Sequence, residues 1–103
     1  MPCYVISELI GTFVFFTVIL KFGDKELGPF AIGLTLIAMI LFSKSLSGGN
    51  FNPGVTLMMT FKDFIDNGKL PDSSKLVESG IYIGAQLSGA VLALYTLKLC
   101  KEK

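Results

Sequence analysis

The strongest constraint on this chain is an apolar helix too short to cross a bilayer. It sits in the stretch Ser47-Gly48-Gly49-Asn50-Phe51-Asn52-Pro53-Gly54-Val55-Thr56-Leu57. Asn is among the best N-caps, and Pro at the first helical position gives up an N–H that would be orphaned anyway, so a helix opens at Pro53. Its apolar or small residues, 53–61, rise only about 14 Å, roughly half the ~30 Å hydrocarbon core. Lys62 and Asp63 then return the chain to water. An apolar helix that stops halfway behind a glycine-rich loop fits poorly as a span. It fits well as a re-entrant half-helix, 53–66, lining a protected cavity.

The remainder of the chain is built for the same environment. At 103 residues there is one domain, 1–103, and 51% of the residues are hydrophobic, with a mean hydropathy of +0.65. That balance indicates a membrane protein. The net charge of +1 comes from scattered lysines and carboxylates, so no basic patch for nucleic acid and no polyanion partner is implied. There is no His, no carboxylate pair on a suitable element and no Gly-Lys-Ser/Thr after Gly48-Gly49, so no enzymatic machinery, cofactor or metal site is expected. Cys3 and Cys100 lack companion ligands, would lie on opposite membrane faces, and both read as incidental.

Three segments are apolar enough to be read as spans, at about 4–22, 29–46 and 76–99. The expected fold is therefore an all-α membrane protein, multi-pass in the bilayer, with three transmembrane helices plus the half-helix. For the first segment a signal peptide competes, but nothing basic precedes Lys21 and no small-residue cleavage site follows. Gly23 to Gly28 forms a polar turn, and Pro29 suits the first turn of the second helix. Lys44 must snorkel to the surface. Gly68 can close the half-helix, and Ser73 or Ser74 can cap the last helix. That helix carries Gly80, Gly84 and Ser88 four apart, beside a second row of Ala85, Gly89 and Ala93. Such rows let helix backbones approach closely in lipid, although Gly and Ala are also simply frequent there.

These residues resemble a known family. The box around Asn52-Pro53-Gly54 is similar to the first asparagine-proline-alanine box of the aquaporin and glycerol-channel (major intrinsic protein) family. Glu8-Leu9-Ile10-Gly11-Thr12 resembles the opening of that family's first helix, and Ala85-Gln86-Leu87-Ser88-Gly89-Ala90 its third. The resemblance implies that Asn52, Pro53 and Gly54 face a pore for water or small neutral solutes such as glycerol or urea. It implies that Glu8 holds the loop containing Ser47, Gly48 and Gly49, against the alternative of a glutamate snorkelling at a helix end. Gln86 has the choice of a loop partner or an interhelical bond. Gly11 and Gly33 are expected at helix packing positions. The family's lining position in its second helix falls on Ile32, and an aliphatic residue there leans toward solutes wider than water.

The pore chemistry follows from the helix end. Unpaired N–H groups and a partial positive charge favour an oxygen lone pair and disfavour a cation. If the Asn52 carbonyl caps the helix, its amide N–H groups remain free to donate to a solute. Several features depart from the family: Gly54 replaces the usual alanine, Asn50 stands where many members have histidine, and no arginine occurs anywhere. The chain resembles the first half only, of a fold made from two inverted halves. Two readings stay open: a half-channel completed by another copy or another half, or a truncated, non-conducting membrane protein that associates with full-length relatives.

Overall fold

The computed structural model describes residues 2–101, so Met1, Glu102 and Lys103 lie outside the described residues. Four helices occur in order: α1 (Cys3–Phe22), α2 (Gly28–Ser43), α3 (Pro53–Asn67) and α4 (Ser73–Lys101). The start of α3 is set by Asn52, whose extended backbone (φ −156°, ψ 128°) lets its Oδ1 accept from the Gly54 N–H at 2.7 Å. Its end is set by Gly68 at φ 68°, whose N–H reaches the carbonyls of Asp63 and Phe64.

Two boundaries differ from the sequence expectation. The second helix ends at Ser43 instead of Leu46, because the Ser43 carbonyl accepts from Leu46, Ser47 and Gly48 and winds the chain into a tight turn. At 16 residues, α2 is about 24 Å long. The cap of α4 is Asp72, whose carboxylate accepts from the Lys75 N–H at 2.8 Å, and neither Ser73 nor Ser74 fills that role. Among the described residues, α1 and α4 are long and apolar enough to cross a membrane, while α2 is apolar but shorter.

Side-chain pairings give the helix directions. Tyr4 stacks on Tyr82 with ring centroids 4.9 Å apart, Glu8 bonds to Gln86, and Thr12 lies against Gly89, so α1 and α4 run parallel. Packed between α1 and α2, residues Cys3, Ile6 and Ile10 share a groove with Leu46, Phe42 and Met39, so α2 runs the opposite way. Against α4, Thr56 meets Gln86 and Thr60 meets Ser79, so α3 is antiparallel to α4. The N-terminal tip of α3 therefore lies near the middle of α4, and its C-terminal end returns toward the start of α4, where Asp63 faces Lys75. The chain descends from Ser43 to that tip and climbs back toward the same end of the α1–α4 pair.

Burial is inverted relative to a water-soluble domain. The buried side chains include Ser7, Glu8, Thr12, Ser43, Thr56, Thr60 and Gln86, whereas Phe30, Leu34, Leu41, Phe42 and Val91 are each more than 60% exposed. An outer surface this apolar suits lipid, where helices are held by close packing and internal polar bonds.

Candidate functional site

The loop before α3 is built from backbone conformations that few residues adopt. Gly48 (φ 89°) and Gly49 (φ 72°) are left-handed, and so is Phe51 (φ 54°), which for a residue with a side chain costs about 1–2 kcal/mol. Phe51 is held there by two contacts. Its ring is fully buried on Gly11, where any added Cβ would overlap the Phe51 ring atoms, and its N–H donates to Glu8.

Glu8 is the centre of the arrangement. It is fully buried, forms no salt bridge among the described residues, and four donors meet its carboxylate. Oε2 accepts from the Ser47 hydroxyl at 2.6 Å and the Asn50 N–H at 3.2 Å. Oε1 accepts from the Phe51 N–H at 2.9 Å and Gln86 Nε2 at 2.7 Å. Hydrogen bonds to a charged acceptor are short and strong, and four of them replace the hydration that burial removed. Of the two options the sequence left open, loop partner or interhelical bond, Gln86 takes the interhelical one twice: the same amide nitrogen also donates to Thr56 Oγ1 at 2.8 Å, tying α3 to α4.

Three contributors were not singled out from the sequence. Thr56 accepts from both Gln86 and the Asn50 amide, joining α3, α4 and the loop. The Tyr82 hydroxyl donates to the Ser47 carbonyl at 2.6 Å, one helical turn before Gln86. Phe51 seats the loop on α1. Thr56 and Thr60 are four apart on α3 and Tyr82 and Gln86 four apart on α4, so each pair shares a helix face, and that spacing was the available signal. Beside this network, between α3 and α4, a cleft of about 300 Å³ is lined by Ser47, Asn50, Thr56, Thr60, Ser79 and Tyr82, among others.

Asn52 stands at the exposed tip with Pro53 and Gly54. Its Oδ1 is engaged by the Gly54 N–H, and the amide nitrogen has no hydrogen-bond partner among the described residues. The fold brings Glu8, Ser47, Gln86 and the loop glycines together. It does not bring Ile32 beside Asn52, since α2 packs on α1 and not on α3. Gly89 packs tightly, with an added Cβ only 2.8 Å from the Leu9 carbonyl oxygen. An added Cβ on Gly33, Gly80 or Gly84 would meet nothing within 4 Å, and Ser88 is exposed.

Neither a family model nor a solved structure matches the chain. In sequence it is similar to the probable aquaporin NIP4-2 of Arabidopsis thaliana, with 36% identity over 104 residues. The match covers 91% of this chain and 34% of the relative, so the chain spans about a third of that curated relative's length. With an inverted exterior and two helices apolar enough to cross a membrane, this likeness to a plant aquaporin supports the aquaporin (major intrinsic protein) family.

Proposed function

We propose that the chain is half of an aquaporin-like channel, passing water or small neutral solutes such as glycerol or urea when a second half meets its half-helix. One observation carries this reading: α3 turns back near the middle of α4 and presents the Asn52 amide, already capped on its oxygen side, as a free donor at its tip. Such a tip stabilises a solute oxygen and repels cations. It would be costly facing lipid, where each unsatisfied polar group costs several kcal/mol. A second copy inserted the opposite way would set Asn52 against Asn52 and cover both helix ends. The lysine bias that sets orientation is balanced among the described residues, with Lys44, Lys62, Lys69 and Lys75 at one end against Lys21, Lys25, Lys98 and Lys101 at the other. Reporters active on only one side of the membrane, fused to the C-terminus, test this, and both should report. If every copy inserts one way, the inverted homodimer is excluded and the second half must come from another polypeptide.

The second reading is a non-conducting membrane protein that associates with full-length channels. It is favoured by the residue after the box, Val55, in a chain without arginine. Solute flux in vesicles carrying the purified chain separates the two: flux above that of protein-free vesicles removes the second reading.

A further inference from the structure

The cleft of about 300 Å³ between α3 and α4 lies toward the start of α4, at a depth where polar surface is expensive. At 29 residues α4 is about 43 Å long, so it outreaches the ~30 Å hydrocarbon core by about 6 Å at each end. Lys75 therefore stands in the headgroup layer, Glu78 at its inner edge, and Ser79 and Tyr82 below it. A polar cavity that dips to that level is costly unless a polar group fills it. The lining decides which kind of group fits. The hydroxyls of Thr60, Ser79 and Tyr82 bond to the carbonyls of Thr56, Lys75 and Ser47, so their protons are taken and only their lone pairs are on offer. Glu78 adds a carboxylate that forms no salt bridge among the described residues. The cleft is thus rich in acceptors and suits a cation with several N–H donors. At its outer lip Lys75 lies three residues from Glu78, about 5–6 Å away between Cβ atoms. The Lys75 contact with Asp63 is long, at 3.9 Å, and exposed, so the ammonium remains available to an anion.

We propose that this cleft binds the headgroup of phosphatidylethanolamine, with the phosphate at Lys75 and the primary ammonium at Glu78 and the hydroxyl oxygens. The short two-carbon link between phosphate and ammonium suits the one-turn spacing of Lys75 and Glu78. A primary ammonium brings three N–H donors to a cleft that holds acceptors. A choline headgroup, whose nitrogen carries three methyl groups, has no N–H to give. A serine headgroup has the ammonium, but its extra carboxylate meets the like charge of Glu78. The acyl chains leave past Met59, which is half exposed on the α3 wall of the cleft. Soluble phosphoethanolamine carries the same two charges without those chains. Binding here does not depend on conduction at Asn52.

The test uses the full chain in detergent micelles with equimolar phosphatidylethanolamine, phosphatidylcholine and phosphatidylserine of identical acyl chains. Native mass spectrometry counts the one-lipid adducts. The phosphatidylethanolamine adduct should exceed each of the others several-fold. Glu78→Gln should bring it down to the level of phosphatidylcholine, Lys75→Gln should lower both, and Lys98→Gln at the far end of α4 should change neither. Soluble phosphoethanolamine, at the concentration of the lipid, should displace little of it. Equal adducts on the unaltered chain, a preference that survives Glu78→Gln, or full displacement by soluble phosphoethanolamine would each overturn the proposal. The comparison among lipids is made on the unaltered protein, so it stands even if a variant misfolds.

Discussion

Gln86 Nε2 lies 2.7 Å from Glu8 Oε1, joining the middle of α4 to the first turns of α1 across 78 residues of sequence. The same carboxylate accepts from two backbone N–H groups of the loop, so one buried charge sets helix packing and loop conformation together. Replacing Glu8 with Gln keeps the size but substitutes an amide donor for one acceptor, leaving at least one of the four donors facing another donor. The expected loss is about 1–3 kcal/mol. Thermal unfolding in mild detergent measures it, and limited proteolysis should show new cleavage within residues 47–51. An unaltered melting temperature would mean that Glu8 does not hold the loop.

The seat of Phe51 on Gly11 gives a second prediction. Gly11→Ala places a methyl group into the ring, and Phe51 is also in a left-handed conformation with little freedom to withdraw. Overpacking of this kind costs about 1–3 kcal/mol. The double variant Gly11→Ala, Phe51→Leu should recover part of that loss, because the smaller side chain vacates the space. A strictly additive double variant would show that the two residues do not contact one another.

Much of the helical layout was readable in advance for simple reasons. Asn52-Pro53 and Gly68 declare the ends of α3 through backbone chemistry alone, and the long apolar run beginning near Cys3 declares α1. The end of α2 was not readable, because it depends on the Ser43 carbonyl capturing three N–H groups from a turn whose apolar residue, Leu46, looks like a continuation of the helix. Cap choice at α4 was missed for a similar reason: Asp72, Ser73 and Ser74 are all capable, and geometry selects the first. Within the site, the Glu8 role was an expectation from family resemblance. Thr56 and Tyr82 were hidden because a hydroxyl on an apolar helix carries no sign of its partner until the facing helix is in place.

Glycines on α4 separate by environment, which supplies a third prediction. Gly89→Ala should weaken the chain by forcing α1 away, since the added carbon would press on the Leu9 carbonyl and on Phe13. Gly84→Ala meets open space and should stabilise the helix by up to ~1 kcal/mol through lower backbone entropy in the unfolded state. If Gly80, Gly84 and Ser88 serve instead as a seam for another protein chain, Gly84→Ala will leave the melting temperature intact while lowering the oligomer fraction in crosslinking. A destabilised Gly84→Ala monomer would place a neighbour against α4 within the single chain.

The last prediction isolates the amide of Asn52 from its capping role. In Asn52→Asp one carboxylate oxygen still accepts from the Gly54 N–H, so α3 keeps its start and the chain its fold. Only the exposed half of the side chain changes, from a donor to a charged acceptor. At a helix tip that otherwise repels cations, the negative charge offsets the partial positive charge of the backbone and removes the donor that a solute oxygen would use. In vesicles where the unaltered chain conducts, Asn52→Asp should lower neutral-solute flux, admit cation current, or both, at unchanged thermal stability. Flux and current both equal to those of the unaltered chain would take Asn52 out of the conduction path, and with it the role proposed for the tip of α3.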